Sequence, residues 1–281
     1  MTIERQKQKH ESRTMRRGGA FLRFAAAAVF WLIIWQLLSM LIGSALLLPS
    51  PAAVLRAFFG LVQTSEFYLS ILHTLLRVAA GFAAGMIVGI LAGAATAFFN
   101  VADLLLTPLK NIIKATPVTS FIVLILLYFS PDVAPSVVAF LAVLPICWAN
   151  VCEGLRQTDE KMLELARVYD FGSWKTLCEV YFPAVRPYLS AAATTGLGFA
   201  WKSCVAAEVI ALSKSSVGRA LYESKLYLET AELFAWTAAV VLISVLVEKL
   251  LVRCVFGNKN QVGEKNVENN ERANEGDNAE L

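Results

Sequence analysis

Long apolar runs, separated by short polar stretches, occupy most of the chain. A helix needs roughly 20 mostly apolar residues to cross a bilayer. The pattern therefore predicts six membrane-spanning segments, at residues 24–48, 74–99, 110–129, 133–152, 185–211 and 232–255. The first run is longer than the roughly 7 to 15 residues of a signal-peptide core, so we expect an uncleaved membrane helix there.

Prolines and polar stretches divide this pattern further. Pro117 predicts a kink near Thr116 in the third segment, and Pro145 predicts a bend in the fourth. Residues 49–63 start with two prolines and continue with helical apolar spacing, which predicts a short amphipathic helix at the outer surface. The predicted organisation is a basic tail (1–23), a transmembrane domain (24–256) and a disordered polar tail (257–281).

Composition supports an all-α membrane protein, a bundle of about six transmembrane helices. The chain is 57% hydrophobic and 17% charged, whereas soluble domains carry about 25% charged residues. A net charge of +3 gives no indication of nucleic-acid binding. The five cysteines and two histidines match no metal-ligand spacing, so we expect no metal site.

Lysine and arginine indicate the orientation of the chain. The N-terminal tail is basic, and six crossings would return the C-terminus to the same side. The loops 100–114 and 153–186 would then share that side, and both carry several cations, whereas the opposite loops carry few. Because cytoplasmic loops are enriched in Lys and Arg, we expect both termini in the cytoplasm.

A polar stretch at residues 158–183 separates the fourth and fifth segments. Its first half predicts a helix that Thr158 caps and that ends with Gly172 in a left-handed conformation. Its second half predicts a new helix that begins at Ser173 and ends at Pro183. Two short helices joined by a turn form a compact element suited to docking on a cytoplasmic partner.

Glu164, Leu165 and Ala166, followed by a turn and by Pro183, resemble the EAA loop of ABC importer permeases. The resemblance covers about residues 70–255. The stretches similar to the nitrate/sulfonate/taurine branch are HTLLRVAAGFAAGMIVGILAG (73–93), LPICWANVCEGLR (144–156) and GLGFAWKSCVAAEVIALSKSSVGRAL (196–221). In that family the loop, here 156–184, couples the permease to a cytoplasmic ATPase. The coupling residues implied are Glu164, Leu165, Ala166, Asp170, Gly172 and Pro183.

Two positions depart from the family pattern. Leu165 stands where the family usually has alanine, and Asp170 where it usually has glycine. Gly172 follows two residues later, which suggests a shifted turn.

The resemblance also implies partners: ABC ATPase subunits, an extracytoplasmic solute-binding protein and a second copy of the chain in the bacterial inner membrane. The chain has no G-x-x-x-x-G-K-[ST] motif and no catalytic set, so we expect no enzymatic activity and no cofactor of its own. ATP and Mg²⁺ would bind the partner ATPase. An ion-driven secondary transporter, and a membrane scaffold or sensor that recruits a partner through the 156–184 hairpin, are the alternatives.

Charged residues inside apolar segments mark candidate pathway positions, because such residues are costly in lipid. Lys202 would attract an anionic substrate, or else form a structural ion pair or extend to the membrane interface. Glu208 matches an acidic position in the family, and we expect a structural role for it near the outer gate. Arg77 is either a pathway residue or an interfacial anchor.

Glycines recur every fourth residue in the second segment, at Gly81, Gly85, Gly89 and Gly93. Such a stripe predicts close packing against another helix. The sequence alone does not identify the substrate, since nitrate, sulfonates, taurine, bicarbonate and vitamin precursors are all known among relatives of this branch.

Overall fold

The computed structural model describes residues 26–256, and within that range the regular structure is helical throughout. The predicted tails 1–23 and 257–281 lie outside the described residues. The helices are α1 (Ala26–Ile42), α2 (Pro51–Val62), α3 (Ser65–Phe98), α4 (Asn100–Ala115), α5 (Val118–Leu126), α6 (Ala134–Arg156), α7 (Glu160–Val168), α8 (Ser173–Thr176), α9 (Phe182–Ala211), α10 (Val217–Leu226) and α11 (Thr230–Phe256), with a π-helical turn at Leu177–Tyr181.

The chain forms two compact units, the first of which comprises the residues up to Ser65 together with Glu223–Ala238. In this unit the Ser50 hydroxyl accepts a hydrogen bond from the Ala53 amide, and Pro51 occupies the first turn of α2. These are the preferred residues for a helix start. The predicted helix within 49–63 is therefore present.

The second unit comprises Glu66–Tyr222 and the chain from Ala239 onward. Its core is built on α6 and α9, with the buried side chains of Val143, Leu197 and Trp201 packed beside Val78 of α3. Apolar side chains at Val240, Ile243 and Val247 of α11 complete this cluster. These core residues belong to the apolar runs from which the helices were predicted.

The glycine stripe of α3 lies against α6. A Cβ atom added at Gly85, Gly89 or Gly93 would come 2.7–2.8 Å from the Cβ atoms of Val143, Cys147 and Val151. Real Cβ atoms essentially never approach so closely. The backbones of α3 and α6 therefore approach to a distance that only glycine permits.

Among residues 26–256, three helices are long and apolar enough to cross a membrane, Ser65–Phe98, Ala134–Arg156 and Thr230–Leu250, and the bent pair α4–α5 makes a fourth if it is one span. The kink predicted near Thr116 in the third segment, 110–129, is present as a bend of 100° between α4 and α5 beside Pro117. Thr116 is extended there, as a residue before proline prefers. Pro145, in contrast, lies inside the continuous helix α6.

Candidate functional site

The first helix of the polar hairpin is α7. Its N-cap is Asp159, whose carboxylate accepts a hydrogen bond from the Lys161 amide at 2.9 Å. The predicted cap, Thr158, is wrong, because its hydroxyl instead donates to the Gly154 carbonyl of α6. The cap prediction was therefore off by one residue.

Asp170, not Gly172, adopts the left-handed conformation at the end of α7, with φ 50°. The Phe171 amide donates to the Ala166 carbonyl at 2.8 Å, and the Asp170 amide donates to the Arg167 carbonyl at 3.1 Å. This pair of bonds is the Schellman motif. The predicted shift of the turn to Gly172 is wrong, since aspartate tolerates the left-handed region better than most residues.

The second arm of the hairpin runs without a break into α9. Gly172, with φ −61°, precedes α8, and no side chain caps that helix, so the predicted Ser173 cap is wrong. Pro183 does not end a helix either, because it lies in the first turn of α9. The π-helical turn at Leu177–Tyr181 comes directly before, where the missing proline N–H and the proline ring would disturb regular α-helical hydrogen bonding.

The hairpin presents an apolar surface to its surroundings. Val168 is 79% exposed and Trp174 is 77% exposed. Exposed side chains nearby are those of Met162, Leu165, Tyr169 and Leu177. Glu164 is also exposed, whereas Ala166 is buried. Contiguous apolar patches of this kind mark interaction sites.

Polar and aromatic contacts join the base of the hairpin to the helix bundle. The Tyr188 hydroxyl donates to the side-chain oxygen of Gln157 at 2.6 Å. The rings of Phe98 and Tyr181 meet edge to face, 5.3 Å apart. Arg156, at the end of α6, binds the Asp103 carboxylate of α4 at 2.7 Å. The hairpin is thus held at its base and open at its tip.

A second polar cluster surrounds Glu208 of α9, which is fully buried. The Thr74 hydroxyl lies 2.9 and 3.0 Å from the two carboxylate oxygens, and the Arg77 guanidinium donates to one of them at 2.9 Å. The Gly218 amide donates to the other at 3.2 Å. A buried charge needs such a complete set of partners.

Arg77 extends this carboxylate cluster toward two loops. Its guanidinium also donates to the backbone and carboxylate of Asp132 and to the Lys214 carbonyl. The Lys214 amide in turn donates to the Asp132 carboxylate at 2.8 Å. Arg77 therefore forms ion pairs with both Asp132 and Glu208.

Gly218 is required at this place for steric reasons. A Cβ atom there would lie 2.6 Å from the backbone nitrogen of Val209. The preceding chain turns sharply, with Leu212 and Ser215 both at positive φ. The turn brings the start of α10 back to Glu208. Sequence reasoning missed Thr74, Asp132 and Gly218, and the only signal for them was a polar residue or glycine near a predicted helix end.

Lys202 lies on an exposed face of α9 and has no ion-pair partner in the part of the chain that the structure describes. Residues that share this exposed face are Ala191, Thr195, Phe199, Ala206 and Ile210. Thr195 and Phe199 also line a cavity of about 330 Å³ between α4, α5, α6 and α9. Lys202 and Glu208 thus differ completely in environment.

The sequence matches the family model for "binding-protein-dependent transport system inner membrane component" over residues 85–255. The chain belongs to this family. It is similar to the putative aliphatic sulfonates transport permease SsuC of Bacillus subtilis, with 29% identity over 72% of this chain and 74% of that protein. It is also similar to the nitrate import permease NrtB of Synechocystis, with 28% identity over 67% and 72%.

A third relative is the bicarbonate transport permease CmpB of Synechococcus elongatus, with 27% identity over 71% of this chain and 75% of that protein. The chain is therefore an all-α membrane permease of the ABC transporter class, as the resemblance predicted. The family match covers both the hairpin and the carboxylate cluster except for Thr74 and Arg77.

Proposed function

We propose that two copies of this chain form the membrane path of an ATP-driven importer for a small anion. An extracytoplasmic binding protein delivers the solute, and each copy docks on one ATPase subunit. The exposed hairpin at the start of the 30-residue helix α9 is the observation that carries this proposal, because such an element can transmit motion from a separate motor protein.

Docking through the hairpin has a physical basis in its surface. Exposed Leu165 and Trp174 would lose contact with water in a complex, and burial of a large apolar side chain contributes about 1.5–3 kcal/mol. Exposed Glu164 adds a charge that fixes the position of the hairpin on the ATPase surface. ATP and Mg²⁺ bind the ATPase, and the hairpin passes the closure of that subunit to α9.

The proposed orientation puts the hairpin in the cytoplasm, together with both termini. The lysines and arginines of loops 100–114 and 153–186 favour that side. The carboxylate cluster around Glu208 lies near the other end of α9 and would then face outward. There it holds the outer end of the permease together.

Lys202 supports an anion as the solute. It is an exposed cation of α9 without an ion-pair partner among residues 26–256, on a face where a second copy would enclose the path. The relatives' names cite aliphatic sulfonates, nitrate and bicarbonate, which are all anions. Changing Lys202 to Met should lower anion uptake, while the same change at exposed Lys249 of α11 should not. Equal uptake by the Lys202→Met variant and the unchanged protein would remove Lys202 from the path.

Copurification tests the proposed docking. The full chain, extracted in detergent from its own host, should retain a nucleotide-binding chain. Leu165→Asp in the hairpin should release that chain, whereas Leu226→Asp, at a somewhat more exposed position on α10, should not. Retention of the ATPase by the Leu165→Asp variant, or transport by the permease alone without ATP, would contradict the proposal.

A further inference from the structure

The cavity of about 330 Å³ is enclosed on one side by the bent pair α4–α5 and on the other by α6 and α9. Its walls are mainly apolar, with Phe121, Leu141, Ile146 and Phe199 among the lining residues. The volume falls at the lower end of the range of about 300–1,000 Å³ that is usual for small-molecule sites. The lining includes residues on both sides of the bend at Pro117, among them Lys114 and Phe121.

Lys114 is the one charged residue in the cavity lining. No carboxylate pairs with it among residues 26–256, since the ion pairs found there join other residues. The Thr116 hydroxyl donates to the Ile112 carbonyl and so offers only an acceptor. The cavity therefore combines an apolar body with a single cationic donor.

The cavity and Lys202 lie on the same face of α9. Thr195 lines the cavity, and Lys202 follows seven residues later, so both side chains project from the same side of the helix. The separation along the helix axis is roughly 10 Å. An anion that leaves Lys202 thus meets the cavity and its lysine next.

We propose that this cavity is a ligand site of the permease itself, and that it takes an organic anion with a short apolar body whose head group binds Lys114. The proposal rests on the proposed anion import and narrows its substrate class. Alkanesulfonates have this chemistry, because a charged sulfonate head is joined to an alkyl chain.

Inorganic anions fit the site poorly. Mainly apolar walls offer nitrate or bicarbonate few hydrogen bonds in exchange for their hydration shell. An alkyl chain, in contrast, gains affinity from the same walls, up to about fourfold for each buried methylene group. Affinity that rises with chain length is therefore the property that separates the two classes of anion.

Direct binding to the full-length chain in phosphatidylcholine nanodiscs tests the site. Ethane-, butane- and hexanesulfonate are titrated by calorimetry, with nitrate in parallel and with empty nanodiscs subtracted. We expect affinity to rise from ethane- to hexanesulfonate and to exceed that for nitrate. Equal affinities for nitrate and hexanesulfonate, or no sulfonate binding, would overturn the proposal.

Variants locate the binding. Lys114→Met should weaken sulfonate binding by about tenfold or more, as expected for a lost hydrogen bond to a charged group, and Lys114→Arg should retain it. Ala142→Phe should fill the cavity and remove the dependence on chain length. Lys249→Met is the matched control and should bind as the unchanged protein does. Unaltered binding by Lys114→Met would place the ligand elsewhere and overturn the assignment.

Anionic lipid could supply the same chemistry, so a second set of nanodiscs contains phosphatidylglycerol. Sulfonate affinity should change little there, and loss of binding would assign the cavity to lipid and overturn the proposal. These outcomes are separate from the proposed function: nitrate uptake by the assembled transporter without sulfonate binding refutes this site only, whereas absence of any ATP-driven anion uptake refutes the import proposal.

Discussion

The carboxylate cluster and the hairpin lie at opposite ends of α9. They differ in how many of their polar groups and apolar side chains find partners within the chain. Glu208 is fully buried, and its oxygens receive bonds from a hydroxyl, a guanidinium and a backbone amide. The hairpin has its turn fixed by backbone bonds, yet Val168 and Trp174 are more than three-quarters exposed. One region is complete within the chain, and the other offers its surface to a partner.

This difference indicates that the two ends of α9 have different roles, one in stability and the other in coupling. The complete end can hold α3, α9 and the start of α10 as one body, because Glu208 of α9 accepts bonds from Thr74 and Arg77 of α3 and from Gly218 of α10. The incomplete end can gain free energy only by binding another molecule. Variants should therefore lower stability at the cluster and lower coupling at the hairpin.

The largest expected effect is at Arg77. The Arg77→Met variant leaves the Glu208 charge buried without its ionic partner, and we expect a loss of about 3–5 kcal/mol in the free energy of unfolding. Thermal unfolding of the detergent-solubilised chain measures it. The double variant Arg77→Met, Glu208→Met should recover part of that loss, because it removes the unpaired charge. A double variant less stable than Arg77→Met would contradict this interpretation.

A smaller effect is expected at the α3–α6 contact, which belongs to the same compact unit as the carboxylate cluster. Gly89→Ala would put a Cβ 2.7 Å from that of Cys147, and such overpacking costs about 1–3 kcal/mol. Gly198→Ala on α9 is the control, since nothing lies within 4 Å of the added carbon. Its unfolding midpoint should be unchanged or slightly higher. Equal effects of the two substitutions would show that helix spacing does not limit stability.

The smallest expected effect is at the hairpin turn. Asp170→Gly places the residue best suited to a positive φ at the left-handed position, and stability should rise by up to about 1 kcal/mol. Asp170→Val should lower it, because a β-branched residue is strained there. The same unfolding assay applies. If Asp170→Gly instead weakened ATPase binding, the aspartate side chain would be a partner contact rather than a turn residue.

Local signals gave the helices but not their contacts. Apolar runs predicted α3, α6 and α11, because each of these helices needs a continuous apolar surface. Pro117 predicted the break after α4. The N-cap of α7 was predicted one residue too early, because Thr158 and Asp159 both suit that position. Only the hydrogen bond from Thr158 to the Gly154 carbonyl decides between them. The preference of glycine for positive φ likewise favoured Gly172 over Asp170 for the turn.

The partners of Glu208 could not be predicted, because they are distant in sequence. Thr74 and Arg77 lie more than 130 residues before it, and their approach depends on how α3 packs beside α9. Charge in an apolar segment indicated that a partner was needed, without identifying it. Lys202 carried the same signal and has no partner within the described residues, so sequence cannot separate a structural charge from an available one.

The central claim is that the hairpin transmits the motion of a motor protein to the membrane helices. Its most direct test is the ratio of solute imported to ATP hydrolysed, measured in liposomes with the assembled transporter carrying Glu164→Lys. Glu66→Lys, a charge reversal at an exposed carboxylate outside the hairpin, is the control. We expect the ratio to fall by about tenfold or more for Glu164→Lys alone, within the range typical of coupling free energies. An unchanged ratio and a normal uptake rate would contradict the claim.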